Sequence, residues 1–152
     1  MIRYQRGFSY LVALFMVAIL SVVSLRALEN TRTNEQRDRE AELLQVGQSY
    51  REAIRMYYDN TPGAAKQYPP DMQSLLLDER GNITRRYLRK LYRDPITASQ
   101  DWGIISSESG GVMGVYSLST QKPIKIDGFP TELMSFTGAK RYQDWQFVYQ
   151  PL

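Results

Sequence analysis

The sequence predicts an α+β protein in which one long N-terminal helix, first membrane-spanning and then amphipathic, packs on a small antiparallel β-sheet. Three observations predict this class. An uncharged apolar run fills residues 8–25, good helix formers continue to Tyr58 because the first proline is Pro62, and strand-forming residues around a Gly-Gly turn follow Trp102. Beyond the apolar end, about 125 residues remain, enough for one modest domain.

The apolar run begins at Phe8 and ends at Leu25, and it contains neither a charge nor a proline. A helix rises about 1.5 Å per residue, so the run spans roughly 27 Å, close to the bilayer hydrocarbon core of about 30 Å. Its serines can return their hydroxyl hydrogen bonds to carbonyls one turn earlier, so none brings water into the bilayer. The run therefore predicts a transmembrane helix.

The charges that flank this run predict its orientation. Arg3 and Arg6 precede it and Arg26 follows it, so the positive-inside rule favours a cytoplasmic leader, residues 1–7, and an exported body. A cleaved secretory signal is disfavoured, because residues 24–29 read Ser-Leu-Arg-Ala-Leu-Glu and offer no small-x-small site. We therefore expect the run to be retained as a single-pass anchor.

The small residue at this end of the chain is Gly7, and Phe8 follows it directly. A short basic leader that ends in Gly, then Phe, then a retained apolar helix resembles the class III signal of type IV prepilins and type II secretion pseudopilins. This resemblance implies cleavage between Gly7 and Phe8 by a prepilin peptidase, followed by N-methylation of Phe8. The chain departs from the family at Val12, because the family usually places a glutamate inside the apolar run.

The resemblance implies a type IV pilin-like fold and a function by polymerisation. The chain would be a pseudopilin-like subunit of a type II secretion or type IV pilus filament, held in the bacterial inner membrane with a periplasmic head. Its partners would be other pilins or pseudopilins, the prepilin peptidase, an inner-membrane assembly platform and membrane lipid. Two other classes stay open: a single-span anchor for a periplasmic binding domain, with Gly7-Phe8 uncleaved, and a DNA-binding minor pilin of a competence system.

Val12 also bears on the type of subunit. In the family, the glutamate at this place is thought to meet the amino terminus of a neighbouring subunit inside the apolar filament core, where an unpaired charge is costly. Val12 has no charge to offer, so the chain is expected to be a minor or terminal subunit. The alternative is a filament shaft that forms by apolar packing alone.

The second half of the helix, residues 26–58, changes character along its length. Its first part carries interspersed charges, as on a solvated helix. From Leu43 onward, apolar residues recur at spacings of three or four, and these are Leu43, Val46, Tyr50, Ile54 and Tyr57. This stripe predicts packing on a sheet in a head that comprises residues 59–152.

Turn-forming residues fill 59–70, and two short helices are predicted after them. The first covers residues 72–79, with Asp71 as its N-cap and Gly81 after its end. The second covers residues 85–92, with Thr84 as its cap and Asp94-Pro95 beyond it. Cations of the second helix recur at helical spacing, in the basic cluster of Arg85, Arg86, Arg89, Lys90 and Arg93. The cluster predicts a solvated helix face that could contact an acidic patch on a neighbouring subunit, and a nucleic-acid partner is disfavoured.

The remaining chain predicts strands. The first covers residues 102–107, Gly110-Gly111 forms a hairpin turn, and the second covers residues 112–119. On the second strand, one face is predicted to hold Val112, Gly114, Tyr116 and Leu118. An edge strand is expected over 122–126, an ordered loop over 129–142, and a last strand over 144–149 with Trp145, Phe147 and Tyr149 on one face.

The chain has neither histidine nor cysteine, so imidazole and thiolate chemistry are excluded and an enzyme is not expected. No cofactor or metal site is predicted. Major pseudopilins often bind calcium in the C-terminal loop, which needs several oxygen ligands close together. Here that region offers only Asp127, Glu132 and Asp144, which are widely spaced, so no ligand set transfers from the resemblance.

Overall fold

A computed structural model describes the backbone of residues 6–151 and the side chains of residues 9–151. Most of the predicted leader therefore lies outside the described residues. The long helix α1 (Arg6–Asp59) is followed by strands β1 (Gly103–Ser106), β2 (Val112–Tyr116) and β3 (Gln146–Val148). Three short 3₁₀-helices accompany them, at Gln73–Leu75, Thr131–Phe136 and Tyr142–Asp144. The long helix and the three-stranded antiparallel sheet fit the predicted α+β layout.

The chain divides into two compact units, Met1–Gln36 and Arg37–Leu152. In the first unit, the large apolar side chains of α1 from Tyr10 to Leu28 are exposed by 40–70%. The hydroxyls of Ser21 and Ser24 donate to the carbonyls of Val17 and Leu20 at 2.8 Å, as the sequence predicts. By length and composition, this helix is able to cross a membrane.

In the second unit, the predicted apolar stripe of α1 is confirmed, because all five of its side chains are buried. The stripe packs in one core with Val115 of β2 and with Trp145 and Phe147 at the C-terminal end. The Arg51 guanidinium of the same helix donates from Nε to the carbonyl of Val148 at 2.9 Å, so α1 is also hydrogen-bonded to β3.

Gly47 allows a close approach between α1 and β3. A Cβ at this position would lie 2.3 Å from ring carbons of Phe147, which is fully buried. Gly to Ala in a helix interior normally stabilises by about 1 kcal/mol. Gly47→Ala is instead expected to destabilise by about 1–3 kcal/mol, the usual cost of overpacking a core. Chemical unfolding of the full chain in detergent measures this change.

A second substitution provides the control for Gly47→Ala. If the Phe147 ring clashes with the new methyl group at position 47, Phe147→Leu should leave room for that methyl group. The double variant should then lose less stability than the sum of the losses of the two single variants. A stabilising Gly47→Ala would show that the helix does not lie this close to β3.

The sheet has the order β1-β2-β3 with antiparallel pairing throughout. The predicted hairpin turn is confirmed, since Gly110 and Gly111 both have positive φ, at 89° and 87°. The predicted single face for Val112, Gly114, Tyr116 and Leu118 is wrong. Ile105 pairs with Gly114 and Ser106 with Val112, so Met113 is an extra residue in a bulge. The bulge resets the alternation, and Val112 and Val115 are the residues of β2 that enter the core.

The two predicted middle helices are wrong. Over residues 72–79 only a short 3₁₀-helix forms, although Asp71 does accept a hydrogen bond from Ser74 N at 2.8 Å. Residues 85–92 contain no helix, because Asp78 and Arg85 exchange backbone hydrogen bonds across an antiparallel bridge. The amides of Tyr87 and Leu88 donate to Leu75 O at 3.0 Å, so an irregular segment, held by these hydrogen bonds, brings Leu88 into the core.

The predicted edge strand over 122–126 is also wrong, because the amides of Ile124 and Lys125 donate to the Glu40 carboxylate of α1 instead of to a strand. The segment over 129–142 contains the 3₁₀-helix Thr131–Phe136 and ends where the next, Tyr142–Asp144, begins. It contributes Phe129, Leu133, Phe136 and Tyr142 to the core. The last strand forms, although β3 is shorter than predicted. Trp145 and Phe147 are fully buried, and Tyr149 is partly buried.

Candidate functional site

The proposed processing site lies in the first turn of α1, where the backbones of Gly7 and Phe8 are helical. The side chains of both residues lie outside the described residues. Val12 is 40% exposed and Leu25 is 63% exposed, within the apolar stretch of the same helix. No buried side chain occurs in the described part of this stretch, so it presents a continuous exposed apolar surface there.

The basic cluster lies on an irregular segment of the head instead of on a helix. All five cations are exposed. Arg85 donates to the Asn60 side chain, and the Lys90 ammonium lies 5.6 Å from the centre of the Tyr92 ring. Between residues 9 and 151, Arg86, Arg89 and Arg93 have neither a hydrogen bond nor an ion pair from their side chains. The cluster therefore keeps three uncompensated positive charges at the surface.

The tyrosines beside the cluster are occupied within the head. Tyr87 donates its hydroxyl to Asp78 at 2.9 Å, and its ring packs edge-on against Tyr57. The Tyr92 ring packs edge-on against buried Tyr50, whose hydroxyl accepts from the Tyr92 amide at 2.7 Å. Burial raises the pKa of Tyr50 to about 12. Neither ring stands open as a stacking platform for bases, which weakens the nucleic-acid alternative.

An ion pair between buried Asp78 and half-buried Arg80 fixes the chain just before the cluster. Asp78 accepts from the Arg80 guanidinium at 2.8 and 2.9 Å, and this hydrogen-bonded cation lowers the pKa of Asp78 to about 2. The guanidinium lies 3.5 Å from the centre of the Tyr57 ring and donates to the Tyr57 carbonyl at 3.1 Å. Arg80 thereby ties the loop that precedes the cluster to the C-terminal end of α1.

A second buried carboxylate anchors another surface loop. Glu40 is 3% exposed, and its Oε1 accepts from the Ile124 amide at 2.5 Å and from the Tyr142 hydroxyl at 2.8 Å. Its Oε2 accepts from the Lys125 amide at 3.2 Å. Beside these bonds lies a groove of about 370 Å³, with Ala41, Leu44 and Ile124 in its apolar lining and Arg37 and Lys125 also on its wall.

The three acidic residues considered for calcium do not converge. Asp127 accepts from the neighbouring Gly128 amide, Glu132 pairs with Arg51, and Asp144 pairs with Arg141. Across the described residues there is no group of three or more acidic side chains that could hold a metal ion.

Sequence reasoning missed Glu40 and Asp78, which organise these two loops. The sequence did contain a signal for Glu40, because this residue stands three positions before Leu43, in register with the apolar stripe. A carboxylate at such a position is buried, so it needs hydrogen-bond donors from elsewhere in the fold. Asp78 carried no comparable signal, since its partners Arg80 and Tyr87 become neighbours only through the irregular backbone.

Comparison of the chain with protein-family models, curated protein sequences and solved structures found no match.

Proposed function

We propose that the chain is a pseudopilin-like subunit of a type II secretion or type IV pilus filament, which works by polymerisation in protein export or pilus assembly. The observation that carries this proposal is α1 itself. One unbroken helix contains an exposed, membrane-length apolar stretch and, further on, the buried stripe of a small α+β head. A polymerising subunit can use both parts. Its apolar stretch can sit in a membrane before assembly and pack on other subunits afterwards, while the head stays folded outside the membrane.

The Gly7-Phe8 motif supports the same proposal, since it stands directly before the apolar stretch. The exposed arginines of the basic cluster offer a surface for an acidic patch on a neighbouring subunit. Val12 favours a minor or terminal position, such as the filament tip, where no neighbour's amino terminus needs a carboxylate at this place. In a filament, the subunit's own mature Phe8 amine could still meet a neighbour's glutamate.

Intact-mass measurement on protein from the native membrane tests the proposal. The mature chain is expected to begin at N-methylated Phe8, and Gly7→Trp is expected to abolish maturation, because the bulky indole would replace the only small residue before the apolar run. Gly81→Trp provides a matched control, since it makes the same substitution at an exposed glycine of the head, where an added Cβ would lie 3.9 Å from the nearest atoms beyond its chain neighbours. A chain that begins at Met1 would exclude peptidase processing and favour the single-span anchor. A chain that begins at Ala27 would have lost the apolar run and would exclude both alternatives.

A further inference from the structure

We propose that the Glu40-anchored loop, residues 121–126, together with Arg37 of α1, binds the anionic surface of a lipid bilayer. This inference rests on the membrane residence in the proposed function and adds a lipid contact made by the head. All the residues involved belong to the compact unit Arg37–Leu152. The loop reads Gln-Lys-Pro-Ile-Lys-Ile, so cations alternate with apolar residues along it.

The loop exposes apolar surface in a basic setting. Ile126 is 56% exposed although its neighbour Pro123 is buried. The next segment of chain lies alongside the loop, since Gly138 N donates to Ile126 O at 3.0 Å and Tyr142 N donates to Gln121 O at 3.1 Å. That segment contributes the exposed Lys140.

The positive charge of this surface is partly compensated. Arg37 and Lys140 have side chains without a hydrogen bond or ion pair in the described part of the chain, and the Lys125 ammonium lies 5.1 Å from the centre of the Phe129 ring. Asp127, after the loop, and Asp38, after Arg37 on α1, are exposed acids, whereas Glu40 is buried beneath its three donors. Three cations, Arg37, Lys125 and Lys140, therefore stand beside two exposed acids.

This combination matches the chemistry of an anionic membrane surface. Lipid phosphate groups attract lysine and arginine side chains within about one Debye length. Transfer of an exposed isoleucine side chain from water to the membrane interface is also favourable in free energy. The groove between α1 and the loop adds an apolar lining next to Arg37 and Lys125. An acidic protein partner would use the cations but would leave Ile126 and this lining without a specific role.

The test uses the full chain in lipid vesicles and exploits the absence of native cysteine. Ile126→Cys carries a fluorophore, and lipids with a spin-labelled headgroup quench it by proximity. Quenching is expected to be at least about twofold stronger in vesicles that contain phosphatidylglycerol than in pure phosphatidylcholine, and to fall at high salt. Ile104→Cys, at a 49% exposed position on β1, should show no dependence on the anionic lipid.

Charge removal provides the second arm. Arg37→Gln with Lys125→Gln, in the labelled Ile126→Cys chain, is expected to reduce the quenching to the phosphatidylcholine level. Equal quenching in both vesicle types, or quenching that survives loss of the two cations, would overturn the lipid contact. So would relief of the quenching by millimolar inorganic phosphate at constant ionic strength, since the surface would then be a site for free phosphate.

Flotation of the vesicles separates this inference from the proposed function. A chain that floats with the vesicles but shows no lipid-dependent quenching at position 126 would overturn the head contact alone. A chain that does not float with them would overturn both the contact and the membrane residence on which it rests.

Discussion

Phe147→Ala is expected to lower the free energy of unfolding of the head by about 3–5 kcal/mol, the usual cost of truncating a buried aromatic side chain. The Phe147 ring is fully buried against Gly47 of α1 and lies edge-on to Phe136 at 5.1 Å between ring centres. A domain of this size is typically stable by about 5–15 kcal/mol in total. Removal of residues 144–152 is therefore expected to unfold the head altogether.

Chemical unfolding of the full chain in detergent, followed by tryptophan fluorescence, measures the effect of Phe147→Ala. Ile104→Ala is the matched control, because Ile104 pairs with Val115 of the same sheet, as Phe147 does, but is 49% exposed. We expect a loss below about 1.5 kcal/mol for the control. Comparable losses for the two variants would mean that β3 does not hold the centre of the core.

Glu40→Ala is expected to lower the free energy of unfolding of the head by about 2–4 kcal/mol, since it removes the acceptor of three hydrogen bonds. The amides of Ile124 and Lys125 and the hydroxyl of Tyr142 would each lose a partner, at about 1–3 kcal/mol for a donor that stays buried. The two amides belong to half-buried residues and can partly recover hydrogen bonds to water. The same unfolding measurement reports the loss.

Two further variants isolate the role of the Glu40 carboxylate. Glu42→Ala, on an exposed position of the same helix, should change stability by less than about 0.5 kcal/mol. Tyr142→Phe removes one of the three donors. The stability lost in the double variant should therefore be smaller than the sum of the stability losses of Tyr142→Phe and Glu40→Ala. Full additivity would show that the two side chains do not interact.

The elements that were predicted correctly are those with a local signal. The stripe from Leu43 to Tyr57 shows helical periodicity, and its burial follows from that period. The hairpin follows from Gly110 and Gly111, which can adopt the positive φ that the turn requires. Both predictions needed only residues that are close together in the sequence.

The elements that were predicted wrongly depend on contacts distant in sequence. Cations at three- and four-residue spacing between Arg86 and Arg93 resemble the outer face of a helix, but the same spacing also occurs in the irregular segment that pairs with Leu75. Likewise, residues 122–126 have the composition of an edge strand, and a carboxylate on α1 takes their hydrogen bonds. The bulge at Met113 arises from pairing with β1 and leaves no local pattern in β2.

For the candidate site, the sequence identified the apolar stretch and the basic cluster by composition. It did not reveal how the cluster is held, because the Asp78–Arg80 pair and the contact with Tyr57 form only in the folded head. The Glu40-anchored loop remained hidden for the same reason, since its anchor lies 84 residues earlier in the chain.

The hydrogen bonds between α1 and the C-terminal segment also constrain when the head can fold. Arg51 and Val148 are 97 residues apart, and Glu40 and Tyr142 are 102 residues apart. Contacts of such long range make folding slow, because the chain must close a large loop before the contact forms. A chain synthesised from its N-terminal end therefore cannot complete this core until its last residues have been made. The packing of α1 against the C-terminal segment must be a late event in the folding of the head.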